Sequence, residues 1–418
     1  MIDLDKWQEI YFSLKQHKLR TSLTAFGVFW GIFMLVTLLG AGNGLKNGVL
    51  LNFGGQTNTI YLWSGSPTQI PYQGLQRGRR INFTDEDVVL IRQQIPEVDI
   101  LTGNNDLAAW DGAQYVVRGE KHGAFPTKGA HAVTARLKSY NMQAGRFLNE
   151  ADEAEKRKVA VIGTRVQETL FAEGENPIGK SVEIRGIYFV VVGVFVGPTM
   201  GDNAQEEAEK VLVPNATLRY TFNQLGWIGH LTLTPKAGFS AIDLEKKVKD
   251  LLLERHHIHP DDVGTIGSFN LQKEYEKVMG LFSGIRIFSW VVAAGTIIAG
   301  VVGVGNIMLI VVKERTKEIG VRKALGATSK SIVLMIVQEA VVITAVAGYS
   351  GLVVGVLLLE TVNRVLGQQG VGMFAKPEVD FSTALIAMLL LVVAGVLAAM
   401  LPAYKAAKVD PIVALQDE

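Results

Sequence analysis

Apolar residues crowd four stretches of this chain, 21–44, 287–312, 331–359 and 381–401, too long and unbroken to be one face of a soluble helix. A hydrocarbon core about 30 Å thick takes roughly 20 helical residues, so each stretch predicts a membrane span. Three of the four carry no charged side chain, and the remaining one carries a single acid, Glu339. An ionisable group is costly in lipid, which predicts that Glu339 faces protein or water. It would either hydrogen-bond between helices near the cytoplasmic end or act as a relay or gate. The first stretch exceeds the roughly 7–15 residues of a signal-peptide core. It is read as an uncleaved anchor, preceded by an amphipathic helix over 1–20.

Basic residues flank these spans unevenly. Lys6, Lys15, Lys18 and Arg20 precede the first; Lys313, Arg315, Lys317, Arg322, Lys323 and Lys330 lie between the second and third; Lys405 and Lys408 follow the fourth. In a four-span layout all three groups share one side, and an excess of Lys and Arg marks the cytoplasm. The loop 313–330 and the tail 402–418 are then cytoplasmic. The short loop 360–380 and the long stretch 46–286 lie outside.

Within 46–286 the apolar period switches between that of strands and that of helices, which predicts an α+β domain. A strand over 58–64 leads to a helix ending near Gln94, capped by Thr84 with Asp85, Glu86 and Asp87 in its first turn and stopped by Pro96. A strand over 113–118 follows. A second unit repeats the order, with a strand over 229–234, a helix over 241–256 and a strand over 265–270. Two such units predict one ferredoxin-like layer. Between them, strands over 181–185 and 187–196 dominate 145–201, read as a β-rich inserted subdomain. Helical spacing over 272–286 predicts a stalk leading into the second span. The expected fold class is an α-helical membrane protein with four transmembrane helices plus a large extracytoplasmic α+β domain.

Composition narrows the chemistry. The 418 residues are 48% apolar, with a formal net charge of +1 and no cysteine. Disulfides, thiolate zinc sites and a cysteine nucleophile are excluded. No basic stripe with interleaved aromatics points to nucleic acid, and no convergent set of acids, bases or nucleophiles points to an enzyme.

Several motifs bear on function. Gly174 to Ser181 matches the phosphate-loop pattern, but that loop needs a strand before it and a helix after it. Here the order reads helix then strand, so the segment is a turn built on Pro177 and Gly179. His256, His257 and His259 lie near Glu254, Asp261 and Asp262; adjacent histidines on a helix diverge, so a solvated helix end is expected rather than a metal site. Gly27 and Gly31 in the first span, and Ala299 and Gly303 in the second, permit close helix approach, either across a dimer seam or within one subunit. The loop 313–327, KERTKEIGVRKALGA, holds seven charges over 313–323 and cannot lie in lipid. Its helical spacing sets Ile319, Arg322 and Lys323 on one face, and Gly326 can end the helix. Such a basic helix suits the groove of another protein; a topology signal alone is the alternative.

This loop resembles a known family. ERTKEIGVRKALGAT at 314–328, QEAVVI at 338–343, LPAYKAAKVDPIVAL at 401–415, NPIGKSVEI at 176–184 and GRFLNEAD at 145–152 are similar to motifs of the FtsX-like permeases, in particular the MacB branch of ABC transporters. The resemblance implies a bacterial inner-membrane dimer, homo- or heteromeric, with its large domain in the periplasm and one subdomain porter-like. It implies a non-catalytic permease that binds no cofactor itself, with ATP-Mg on a cytoplasmic ABC ATPase. That ATPase would contact Lys313, Glu314, Arg315, Glu318, Ile319, Gly320, Arg322, Lys323, Leu325 and Gly326. Because these 418 residues contain no ATPase, a separate ATPase subunit is expected. A periplasmic adaptor and an outer-membrane channel are further partners of such machines, which transmit ATP-driven motion for export or release of substrate. An FtsX-like regulator that activates a periplasmic partner such as a cell-wall hydrolase is the alternative.

Overall fold

A computed structural model describes residues 18–52, 57–107, 114–197, 202–366 and 374–409. The chain divides into two compact units, 1–48 with 281–418, and 49–280. The amphipathic segment expected over 1–20 and the end of the tail lie mostly outside the described residues.

Among the described residues, four helices are long and apolar enough to cross a membrane: Lys18–Asn52, Leu271–Glu314, Ser329–Leu366 and Phe381–Ala407. Each overshoots its apolar stretch, because a nucleated helix gains one hydrogen bond per added residue and continues into polar sequence. The expected stalk is the N-terminal part of the Leu271–Glu314 helix. The spans meet through small residues. A Cβ on Gly351 would fall 2.5 Å from the Phe29 carbonyl oxygen, so the first and third spans touch backbone to backbone. Gly300 seats against Val28, and Gly31 faces Thr296. Pro402 lacks the N–H that would bond Ala398, and the freed Ala398 carbonyl lies over Gly305. Within one subunit, Gly31 packs and Gly303 is half-buried, whereas a Cβ on Gly27 would meet nothing within 4 Å and Ala299 is exposed. Gly300, one residue on from Ala299, takes the packing role, because the helix turns its 300 position toward the first span.

Among its described residues the second unit holds twelve strands: β1 Ile60–Ser64, β2 Val98–Asn104, β3 Gln114–Arg118, β4 Lys121–Phe125, β5 Thr127–Ala130, β6 Asn141–Gly145, β7 Val159–Gly163, β8 Ser181–Ile184, β9 Ile187–Val196, β10 Val211–Pro214, β11 His230–Pro235 and β12 Ile266–Asn270. Four of them form one sheet in the order β12-β1-β11-β2, and every neighbouring pair is antiparallel. With helices Asp85–Gln94 and Ala241–Arg255 as its crossovers, this is the ferredoxin-like layer. Its core packs Ile60, Leu62, Ile91, Leu231, Leu233 and Val248. Ser240 caps the second helix by accepting from the amides of Ile242 and Asp243.

The remaining strands form an eight-stranded sheet, β4-β3-β8-β9-β7-β10-β5 with β6 on β9. Two expectations change here. The strand near 113–118 does not complete the first β-α-β unit; β2 does, and β3 pairs with β4 and β8 in the other sheet. The insert is also wider than 145–201, since β3 to β5 precede that range and β10 follows it. β10 joins β5 in parallel and β7 antiparallel, pairings that no local pattern announces. The insert thus occupies the β2–β11 hairpin connection. Asn215 fastens it there, accepting from the Asn105 amide at 2.9 Å and donating to the Gly103 carbonyl at 2.8 Å.

Candidate functional site: the helix between the second and third spans

Helix Leu271–Glu314 ends at Arg315, whose backbone (φ −98°, ψ 14°) leaves the helical well, and a nine-residue helix, Thr316–Ala324, begins at once. The short helix stops at Gly326, where φ is +99°, a conformation that favours glycine. The Ala327 amide donates to the Arg322 carbonyl and the Gly326 amide to the Lys323 carbonyl, which together close a Schellman motif. Thr328 Oγ1 then accepts from the Ser331 amide and starts the third span. Local sequence alone therefore builds a helix–helix–helix corner.

The short helix has two unlike faces. Ile319 and Gly320 are buried, and Ile319 belongs to the same cluster as Ile332, Ile336, Ala403 and Ala406. Arg315 Nη1 lies 3.6 Å from Glu339 Oε2, and its Nε donates to Glu318 Oε2 at 2.9 Å. Glu339 itself is only 5% exposed, so this partner offsets a charge that lipid or apolar protein would penalise. Arg322 Nη1 contacts Met335 Sδ. Lys323 Nζ donates to the carbonyls of Ala407 and Val409, both at 2.7 Å. Ala407 is the last residue of the Phe381–Ala407 helix and Val409 follows just past its end, where carbonyls lack intrahelical donors and a cation is favoured. A cavity of about 10 Å³ lies among Met308, Arg315, Ile319, Met335 and Glu339, room for one water at most.

The opposite face points away. Val321 is 44% exposed and Leu325 83%. Lys313, Glu314, Lys317, Glu318, Ala324 and Gly326 are exposed with them. The expected contact set therefore splits. Ile319, Gly320, Arg322 and Lys323 are directed largely into the bundle, and the outward patch centres on Lys317, Val321 and Leu325. Lys317 and Val321 were not singled out, although i, i+4, i+8 spacing to Leu325 signals a shared face. Nothing in sequence marks Ala407 and Val409 as partners of Lys323, because a backbone carbonyl has no residue code.

The other motifs take structural roles. The phosphate-loop-like segment follows helix Thr164–Leu170 and precedes β8, and its Lys180 pairs with Glu175 at 2.6 Å. The Ala172 amide, Lys180 and Arg118 together hold the Glu175 carboxyl down at about 2. The histidine helix end is solvated on one side, with Glu254, His257 and Asp261 exposed, and packed on the other. His256 Nε2 sits 3.1 Å from the buried Asp87, and Arg79 donates to the carbonyls of His256 and His257. Burial alone would raise the Asp87 carboxyl, but His256 and the Thr84 amide hold it below its usual range. Among the described residues, no group of three or more His, Cys, Asp or Glu side chains is placed to hold a metal.

Residues 21–251 match the family described as the MacB-like periplasmic core domain, and residues 290–411 match the FtsX-like permease C-terminal family. Among curated relatives, the macrolide export ATP-binding/permease protein MacB of Bdellovibrio bacteriovorus is 26% identical across 97% of this chain and 60% of its own length. The pyoverdine export ATP-binding/permease protein PvdT of Pseudomonas putida is 29% identical across 96% of this chain and 58% of its own. The chain thus spans about 60% of the length of the curated relatives it matches. The crystal structure of the periplasmic region of MacB from Actinobacillus actinomycetemcomitans aligns with a TM-score of 0.42 at 21% identity, covering 53% of this chain and 93% of that one.

Proposed function

The chain belongs to the MacB-like, FtsX-like family of ABC transporter permeases, and we propose that it is a permease subunit driven by a cytoplasmic ABC ATPase docked on the short helix Thr316–Ala324. The permease sits in the bacterial inner membrane as a homo- or heterodimer, with residues 46–286 in the periplasm. ATP-Mg binds and is hydrolysed on the ATPase. The resulting motion passes through the spans to the periplasmic domain, which exports or releases a substrate from the cell envelope. A periplasmic adaptor and an outer-membrane channel complete the path. The relatives named for macrolide and pyoverdine export share that export theme, while the substrate class here is left to experiment.

The observation that carries this reading is the outward face of the short helix. An 83% exposed Leu325 beside a 44% exposed Val321 and the cationic Lys317 has no role in the bundle, yet suits an apolar groove with an acidic rim. The test is to purify the tagged full-length chain in detergent from its native host and identify co-purifying proteins by mass spectrometry. Wild type should bring down an ABC ATPase near one to one, and the Val321→Glu, Leu325→Glu double variant should lose at least tenfold of it. Wild type recovered without any ATPase, under conditions that keep other membrane complexes intact, would overturn the proposal.

A further inference from the structure

The inner face of the short helix carries more than apolar packing. Arg315, Ile319, Arg322 and Lys323 fall at i, i+4, i+7 and i+8, one stripe of a helix. The charged groups stand near the two ends of that stripe and reach different spans. At the N-terminal end, Arg315 meets Glu339 of the Ser329–Leu366 helix. At the C-terminal end, Lys323 holds the last carbonyl of the Phe381–Ala407 helix and that of Val409 just beyond it. Nine residues at about 1.5 Å each make the helix about 13 Å long, so the attachments lie near its opposite ends, with Ile319 buried between them.

A rod attached only by a central apolar contact can rock without moving its neighbours, because apolar contact is non-directional. A rod held at one end by an ion pair and at the other by charge-assisted hydrogen bonds, in a partly buried setting, cannot. We infer that the Arg315–Glu339 pair and the Lys323 bonds to Ala407 and Val409 are two clasps that transmit displacement of the short helix to the third and fourth spans. Glu339 and Lys323 are then positioning residues for transmission, not for docking. Glu339 thus acquires a reason to be charged inside an otherwise uncharged span: it anchors the residue at which the second span breaks. The inference rests on the docking of an ATPase at this helix, and its test separates the two ideas.

Amide hydrogen exchange read by mass spectrometry on the full-length chain addresses the clasps first without any ATPase. Glu339→Gln or Lys323→Met should raise exchange over 316–324 at least fivefold while leaving the centres of the spans unchanged, and Lys323→Arg should stay near wild type. Unchanged exchange over 316–324 in both loss variants overturns the clasps. In the native complex, the difference in exchange over 355–366 between ATP-vanadate and no nucleotide should fall at least fivefold in Glu339→Gln, with ATPase recovery within twofold of wild type. The charge-swapped Arg315→Glu, Glu339→Arg chain should regain a good part of that difference. A full nucleotide response in Glu339→Gln, or loss of ATPase recovery in parallel with it, also overturns the inference. Absence of ATPase from the wild type would instead remove the docking reading and leave the ATPase-free exchange to decide the clasps.

Discussion

The two units of this chain solve packing and charge in opposite ways. The extracytoplasmic unit fills its cores with large side chains; Phe83, Phe171, Phe189 and Phe195 are all fully buried. It also buries acids freely, each with several partners. Asp152 takes Arg146 and the Asn149 amide, Glu207 takes Tyr140 and Lys210, and Glu245 takes Ser268, Asn270, Lys249 and Lys273. The membrane unit's core mixes aliphatic side chains such as Ile32 and Leu35 with alanines, its spans meet at glycines such as Gly300 and Gly351, and its one intramembrane acid, Glu339, draws on Arg315 at the edge of the bundle. The difference follows from the solvent. Water drives large apolar groups together and hydrates a charged rim, whereas lipid offers no such drive, so spans associate by close backbone approach.

The largest effect is expected in the aromatic core of the extracytoplasmic unit. Phe189→Ala should cost the extracytoplasmic unit about 3–5 kcal/mol, read as a fall in denaturant midpoint by exchange over 187–196, with the spans unaffected. Gly351→Val is the membrane counterpart. It adds atoms where a Cβ already falls 2.5 Å from the Phe29 carbonyl, and should cost about 1–3 kcal/mol, seen as a lower melting temperature in detergent. Gly280→Val, facing open space, should show no such fall.

Charge gives a finer test. Burial would raise the Glu245 carboxyl, but Ser268, Asn270, Lys273 and Lys249 bring it down to about 2 from 4.5. A folded value below the unfolded one means that this stabilisation is complete above about pH 4.5 and is lost as pH falls toward 2. Glu245→Gln should cost about 1–3 kcal/mol at neutral pH and flatten the acid limb of the stability profile of helix Ala241–Arg255. The smallest effect is expected at the outward patch: Leu325→Ser should change stability by less than about 0.5 kcal/mol, measured by the same melt. A larger change would mean that Leu325 packs within the chain.

Much of this was legible beforehand, for reasons that differ by region. Spans are legible because composition alone decides them. The ferredoxin-like layer is legible in its first helix, since Thr84 and Pro96 punctuate it locally. The insert was not, because β10 pairs with β5 and β7 across long sequence separations, and each short apolar run fits either sheet. At the short helix, spacing identified a face carrying Ile319, Arg322 and Lys323 but not its direction. Both faces hold apolar residues, Ile319 on one and Val321 and Leu325 on the other, so periodicity was ambiguous about which is inside.

Features that depend on neighbours along the chain can be read from the residues alone: four runs long enough for a bilayer, the side on which cations collect, the caps of helices, and the glycine that ends the short helix. Which sheet claims each strand of the insert, that Gly300 rather than Ala299 meets the first span, and that Lys323 reaches a carbonyl 84 positions away are settled by the folded chain. Those outcomes depend on groups brought together by the closing of long loops, whose free energy depends only weakly on how many residues lie between them, so no local pattern records them.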